Sequence, residues 1–127
     1  MENLSPNSKT RLATCHPTLQ LLFNEVAKKI PINISCGHRD KEEQNRCFRV
    51  GTSMIPWPKS RHNSLPSMAV DVEPLPINWE DLAAYKHLSS IVWTTAEELG
   101  IQDQIEWGGN WKMRDYPHWQ LKENKGE

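Results

Sequence analysis

Three side chains able to bind a metal ion stand in or beside strand-like segments of this sequence. Asp71 lies in the run M-A-V-D-V over residues 68–72, in which alternate positions share a face. A carboxylate buried in such a strand is costly unless something compensates its charge, and a metal ion is a strong candidate. His62 precedes Asp71 across a turn containing Pro66, and His118 begins a second short strand-like segment. Three N and O ligands, with a fourth position left to water, are typical of a catalytic zinc site.

A second carboxylate, Asp115, stands three residues before His118 in the segment D-Y-P-H. A tight turn there would place this carboxylate beside a metal-activated water without making it a ligand, which is the position of a general base. A single His or Asp is more often a turn cap or a hydrogen-bonded polar residue, so the hypothesis depends on the whole set. Should Asp115 not be the base, Glu106 and Glu73 are the next candidates.

These residues also carry a resemblance to a known family. The motifs S-x-H at 60–62, A-V-D-V at 69–72 and D-x-x-H at 115–118 resemble those of zinc peptidases of bacterial cell walls. That VanY-type family includes D-alanyl-D-alanine carboxypeptidases and dipeptidases, and phage endolysins that cut the L-alanyl-D-glutamate bond of peptidoglycan. The endolysins are the closer match, because residues 35–53 (S-C-G-H-R-D-K-E-E-Q-N-R-C-F-R-V-G-T-S) are similar to their G-x-R-T-x-x-x-Q-x-x-x-x-x-G-T-S region. The segment E-W-G-G-N-W at 106–111 also resembles theirs.

The resemblance covers residues 12–121 and implies a role for each matching position. His62, Asp71 and His118 match the zinc ligands, Asp115 matches the catalytic carboxylate, and Arg39 matches the arginine that binds substrate or the developing oxyanion. One departure is the spacing: the family has H-x6-D with a glycine between, whereas this chain has H-x8-D. We interpret the difference as a two-residue insertion in the turn before the strand.

Four further residues are candidates for substrate binding or for supporting the site. From the residues alone Arg39 is expected to form a surface salt bridge, whereas the resemblance favours an electrophilic role. Gln44 lies one helical turn past Asp40 and is expected to share the cleft of Arg39. Ser60 is expected to hold a ligand or substrate group by hydrogen bonding. Trp57 either lines the substrate groove or covers the core, and both interpretations stay open.

The elements that must position these residues follow from periodicity and from start and stop signals. Three helices are predicted from apolar residues at three- and four-residue spacing. Asp40 and Glu43 form a capping-box signature at the start of one helix, and Gly51 and Gly100 are expected to end two of them. Asn78 is the expected cap of the last one. The helices are predicted over residues 17–30, 40–50 and 79–99, and the strands over residues 32–36, 68–72, 105–107 and 118–121. We therefore predict an α+β fold with a small, mainly antiparallel sheet and helices packed on one side. The resemblance implies the D-alanyl-D-alanine peptidase, or Hedgehog-like, fold.

Length and composition limit the remaining function classes. The 127 residues suit one peptidase domain over 1–127, with residues 1–11 and 122–127 expected to be flexible. A net charge of −1 and the lack of a basic cluster argue against nucleic acid as a partner. Three cysteines without a C-x-x-C motif favour a reducing compartment over a disulfide framework. No apolar run approaches the roughly 20 residues that span a bilayer, and the N-terminal residues lack the pattern of a signal peptide.

Together these observations predict a monomeric, zinc-dependent peptidase with one Zn²⁺ per chain. The resemblance implies a phage endolysin made in the host cytoplasm that reaches the wall through a membrane-permeabilising partner and hydrolyses the L-alanyl-D-glutamate bond of the stem peptide. Two alternatives remain open. One is a D-alanyl-D-alanine carboxypeptidase with the same chemistry, and the other is a non-catalytic module that binds wall peptides.

Overall fold

The computed structural model describes residues 4–122, within which four α-helices pack with a four-stranded sheet. The elements in chain order are α1 (Pro6–Leu12), α2 (Pro17–Ala27), β1 (Ile32–Cys36), α3 (Lys41–Val50), β2 (Ala69–Pro74), α4 (Leu82–Leu99), β3 (Ile105–Trp107) and β4 (His118–Leu121). The strand order is β1-β2-β4-β3, and each neighbouring pair is antiparallel. The predicted α+β class and antiparallel sheet are confirmed.

The central pair of strands, β2 and β4, joins parts of the chain that are far apart in sequence. Asp71 lies opposite His118 in the ladder, and Ala69 lies opposite Gln120. Side chains alternate between the two faces of a strand. Val70 and Val72 therefore point into the core, while Asp71 points to the other face. The register itself therefore places two candidate ligands side by side.

The face of the sheet opposite the site is closed by an aromatic cluster and by the apolar sides of α2 and α4. Trp119, next to His118, is 1% exposed and stacks on Trp107, with ring centroids 5.5 Å apart. Phe23 and Trp93 meet the edges of the Trp119 ring at centroid distances of 6.1 and 5.4 Å. A large buried ring at this position fixes the orientation of β4, so His118 must face the cleft.

The N-terminal segment differs from the flexible arm expected for residues 1–11. Ser5 caps α1 by accepting a hydrogen bond from the backbone N–H of Ser8, and Pro6 is the first residue of the helix. The Ser8 hydroxyl is fully buried and accepts the backbone N–H of Ile34 at 2.9 Å. A polar helix is thus held against β1 by a buried hydrogen bond, which apolar periodicity does not reveal. Residues 1–3 and 123–127 lie outside the described part of the chain.

Two helices and one strand have bounds that differ from the prediction. The helix α2 ends at Ala27 because the next backbone amides, of Lys28 and Lys29, bond three residues back and tighten into a 3₁₀-type turn. The helix α4 begins at Leu82 with Asp81 as its cap, since Asn78 accepts from Glu80 in a separate turn. The strand β2 is shifted by one to two residues, to Ala69–Pro74.

None of the helices formed within residues 4–122 combines the length and the apolar character that crossing a membrane requires.

Candidate metal and active site

Three predicted ligands meet at one point above the sheet. His62 is carried by a short 3₁₀ helix, Arg61–Asn63, whose first turn is capped by the hydroxyl of Ser60. Nε2 of His62 lies 3.5 Å from Oδ1 of Asp71, and Nδ1 of His118 lies 3.4 Å from the same oxygen. The two imidazole rings stand nearly perpendicular, with centroids 5.2 Å apart. Two extra residues in the loop have therefore not separated His62 from Asp71.

The orientation of His62 is set by a backbone carbonyl. Its Nδ1 lies 2.8 Å from the carbonyl oxygen of Gly37, which can only accept, so the neutral ring carries its proton on Nδ1. The lone pair of Nε2 then faces Asp71. Both Nε2 of His62 and Oδ1 of Asp71 are buried without a hydrogen-bond partner, and 3.5 Å is longer than a normal hydrogen bond. Two buried acceptors facing each other need a positive charge between them, which either a metal ion or a proton on Nε2 of His62 can supply.

The spacing of these atoms fits tetrahedral zinc. Ligand atoms about 2.1 Å from a tetrahedral centre lie about 3.4 Å from one another, and the two imidazole nitrogens lie 3.5 and 3.4 Å from Oδ1 of Asp71. Two imidazoles and one carboxylate are the N and O donors that zinc accepts in catalytic sites. The donor types of His62, Asp71 and His118, and the distances of the two imidazoles from Asp71, are therefore compatible with zinc.

Cys36 is a further potential ligand that the sequence analysis did not identify. Its Sγ belongs to a group with ligand atoms of His62 and Asp71 that all lie within 4.8 Å of one another. The sulfur is 3.6 Å from Nδ1 of His62, the nitrogen already bonded to a carbonyl, and 3.5 Å from Nη2 of Arg39. Cys36 thus approaches His62 at Nδ1, the nitrogen that the Gly37 carbonyl already contacts. The only sequence signal was its place at the end of β1.

Burial and charge act in opposite directions on the two ligands. Burial lowers the pKa of His62, but the Asp71 carboxylate more than offsets this and raises the pKa to about 10. Burial raises the pKa of Asp71, but the two imidazoles hold it well below its usual range. Without metal, a proton on His62 therefore supplies the positive charge that this carboxylate needs.

Asp115 lies next to these ligands without joining them. Its Oδ2 is 3.9 Å from Nδ1 of His118, and about half of the side chain is exposed. Burial and the charge of Asp71 raise the pKa of Asp115, which makes it a stronger proton acceptor than an exposed aspartate. The location suits the general base that the sequence predicted.

Arg39 faces the cleft and does not form the surface salt bridge expected from the residues alone. Nη2 of Arg39 lies 3.8 Å from Oδ2 of Asp71, and Nη1 donates to Oε1 of Gln44 at 2.9 Å. Gln44 is fully buried and donates to Ser53 and to the carbonyl of Ile55. Gln44 therefore holds Arg39 and the segment 52–61 in place, and is not among the residues lining the cleft.

The cleft above the ligands has a volume of about 730 Å³. Most of its lining residues lie within 52–55, 59–61 and 111–118. Two of them, Met54 and Met113, are 72% and 69% exposed, and we call them the rim methionines. Trp111 also lines the cleft, with its ring 5.0 Å from that of His118, whereas Trp57 is not among the described lining residues.

The Gly108-Gly109 pair lets atoms of Asp115, His118 and Trp107 lie close to the backbone of these two glycines. A Cβ on Gly108 would lie 2.4 Å from the carbonyl oxygen of Asp115 and 3.1 Å from Cβ of His118. A Cβ on Gly109 would overlap the indole of Trp107. Neither glycine has a positive φ, so the pair does not serve an unusual backbone conformation. Gly108 instead brings Asp115 and His118 together.

The chain is similar to known peptidases over most of its length. A family model described as phage L-alanyl-D-glutamate peptidase matches residues 2–124. Among solved structures, the Serratia marcescens L-Ala D-Glu endopeptidase ChiX superposes with a TM-score of 0.77. It shares 33% sequence identity, and the match covers 92% of this chain and 87% of that one. No curated protein sequence matches this chain.

Proposed function

Because this chain belongs to the phage L-alanyl-D-glutamate peptidase family, it is a peptidoglycan-hydrolysing peptidase, and we propose that it works with zinc held by His62, Asp71 and His118. The zinc proposal is supported by two buried atoms without a hydrogen-bond partner, Nε2 of His62 and Oδ1 of Asp71. It is also supported by the distances of 3.5 and 3.4 Å from this oxygen to the nitrogens of His62 and His118. When bound, zinc supplies a water whose pKa falls from about 15.7 to about 7.

Within this proposal, Asp115 moves the proton. Its carboxylate lies beside the three ligands, 3.9 Å from Nδ1 of His118, where it would accept a proton from the water that attacks the peptide carbonyl. The same carboxylate then returns the proton to the leaving nitrogen. Its raised pKa suits both steps, because a more basic carboxylate holds the proton long enough to deliver it.

Arg39 has two possible roles that kinetics can separate. The guanidinium either stabilises the negative oxygen of the tetrahedral intermediate, a contribution of roughly 3 to 4 kcal/mol, or it binds a carboxylate of the substrate. Loss of the oxyanion contact lowers kcat, whereas loss of carboxylate binding raises KM. Its anchoring by Gln44 serves both roles, since a fixed guanidinium needs no reorganisation. Ser60 supports the site through the backbone of His62.

The proposed bond is that between L-alanine and D-glutamate of the stem peptide. Purified peptidoglycan is incubated with the protein, and the newly exposed amino termini are sequenced. New D-glutamate termini are expected. Release of free D-alanine without such termini would assign a D-alanyl-D-alanine carboxypeptidase, and no release by the zinc-bound protein would indicate a binding module.

The proposed zinc site is tested by metal content. Elemental analysis of dialysed protein should give about one zinc per chain, reduced sharply in His62→Ala and His118→Ala. His87→Ala is the matched control, because His87 is exposed on α4. Full zinc retention in both ligand variants would contradict the assignment.

The family acts on the bacterial cell wall. We propose that this chain acts as a monomer and reaches its substrate after a separate partner has permeabilised the membrane. Lysis of cells only when such a permeabiliser is co-expressed would support this route.

A further inference from the structure

We propose that Gln120 and Glu106 are positioning residues that hold neutral His118 in the tautomer whose Nδ1 lone pair faces the metal position. The inference rests on the proposed zinc site but concerns residues outside it. The two side chains form a hydrogen-bonded chain with His118 along the strands β4 and β3, which we call the relay.

The relay has two contacts. Oε1 of Gln120 lies 2.8 Å from Nε2 of His118, and Nε2 of Gln120 donates to Oε1 of Glu106 at 3.2 Å. Gln120 and Glu106 lie opposite each other in the β3–β4 ladder. Gln120 follows His118 by two residues and therefore shares its face of β4. The sheet thus places all three groups in a row.

The chemistry of the last group sets the direction of the chain. An ionised carboxylate only accepts hydrogen bonds, so the Gln120 side chain must turn its NH₂ toward Glu106. Its carbonyl oxygen then faces His118, and because that oxygen also only accepts, Nε2 of His118 must carry the proton. In the neutral ring the lone pair is left on Nδ1, the nitrogen 3.4 Å from Asp71.

The relay opposes a competing arrangement. Asp71, acting alone on a metal-free site, would favour a proton on Nδ1 of His118, because a carboxylate accepts hydrogen bonds. A proton there would occupy the direction needed for metal binding. The carbonyl of Gly37 likewise holds the Nδ1 proton of His62, so each imidazole has its own fixed acceptor on the nitrogen that faces away from Asp71. Loss of such an outer partner typically weakens metal binding 10- to 100-fold.

The test uses the full chain and Zn²⁺ itself. Zinc affinity is measured by competition with a chelator in wild type, Gln120→Leu and Glu106→Gln. The tautomer of His118 is read from the ¹⁵N shifts of the neutral imidazole in metal-free protein. We expect Gln120→Leu to lose about 10- to 100-fold in affinity and to gain the Nδ1–H form. Glu106→Gln should lose less zinc affinity. An amide at position 106 can both donate and accept, so it no longer forces one orientation on the Gln120 side chain. Glu97→Gln, on the exposed side of α4, is the charge-matched control.

A double variant separates the relay from simple packing. Exchange of the two groups, as Gln120→Glu with Glu106→Gln, keeps an acceptor against His118 and a donor behind it at unchanged net charge. Recovery of zinc affinity in the double variant supports the relay. Affinities of Gln120→Leu and Glu106→Gln within twofold of wild type, with an unchanged tautomer, would overturn it. Absence of zinc binding by wild type would refute the zinc site, whereas the ¹⁵N shifts would still decide the relay.

Discussion

At the scale of single residues, the site depends on the direction in which lone pairs point. Nε2 of His62 and Nδ1 of His118 face the same oxygen of Asp71, and each ring is fixed by an acceptor on its other nitrogen. The Asp115 carboxylate, in contrast, lies 3.9 Å from Nδ1 of His118 and remains about half exposed. The geometry therefore separates metal binding from proton transfer, and substitutions should separate them as well.

Replacement of Asp115 tests this separation. Asp115→Ala should bind zinc and fold normally but lose about 10²- to 10⁴-fold in kcat, because it removes only the proton acceptor. The measurements are turnover on purified peptidoglycan, zinc content and the circular dichroism spectrum. Asp103→Ala is the control, since Asp103 is an exposed aspartate in a 3₁₀ turn. Near-normal turnover of Asp115→Ala would move the search for the base to Glu106 or Glu73.

The pKa of His62 predicts how the metal-free protein responds to pH. Burial lowers this pKa, but Asp71 raises it to about 10, above the unfolded value near 6.5. Proton binding to folded His62 therefore stabilises the fold below about pH 6.5, and that contribution is lost as pH rises toward about 10. The free energy of unfolding in chelator should fall over this range in wild type, and fall less in His62→Gln. Identical slopes for the two proteins would contradict the ion pair.

At the scale of elements, the sequence predicted the strands that carry the site residues, but not the contacts that depend on how those strands pair. Alternation in β2 and a D-x-x-H segment before β4 were visible, so the proximity of His62, Asp71 and His118 could be predicted. Their roles as ligands remain a prediction. The helix α3 was predicted with its Asp40 cap and its Gly51 end, both of which the structure contains.

Other features depend on register and on tertiary hydrogen bonds, which no local pattern encodes. The contact between Gln120 and Glu106 needs the pairing of β3 with β4, and that of Cys36 with His62 needs the end of β1 to reach the turn. The helix α1 depends on one buried hydroxyl rather than on an apolar stripe. The position of Trp57, outside the cleft, is set by a proline-rich loop without periodicity.

Gly108 tests how the loop before β4 positions its two functional residues. In Gly108→Ala the new Cβ would meet the Asp115 carbonyl oxygen at 2.4 Å, so backbone must move. We expect lower turnover and weaker zinc binding, because Asp115 and His118 shift together. Gly100→Ala is the contrasting control: it has φ of 72° and open space, and should cost about 1 kcal/mol of stability without affecting the site. Equal turnover in the two variants would contradict this account.

At the scale of the whole molecule, the ligands stand on a sheet whose other face is a packed core. Trp119 and the residues around it hold β4 whether or not a metal is bound. The fold should therefore survive removal of zinc, unlike a small domain that depends on its metal for folding.

Chelation provides the measurement. Metal-free protein should keep a cooperative thermal transition at a lower Tm, since a ligand present at 1,000 times its Kd stabilises by about 4.1 kcal/mol. Re-addition of zinc should restore the Tm. Loss of the cooperative transition in chelator would show that the aromatic core is insufficient without metal.

The rim methionines give the cleft a chemical sensitivity of its own. Peroxide converts an exposed thioether into a polar, chiral sulfoxide, and Met54 and Met113 are both exposed residues that line the cleft. Mild oxidation should therefore slow wall digestion while zinc content and Tm stay unchanged, and a methionine sulfoxide reductase should reverse the loss. The Met54→Leu, Met113→Leu double variant should keep its activity in peroxide. The protein would then work best where oxidants are scarce.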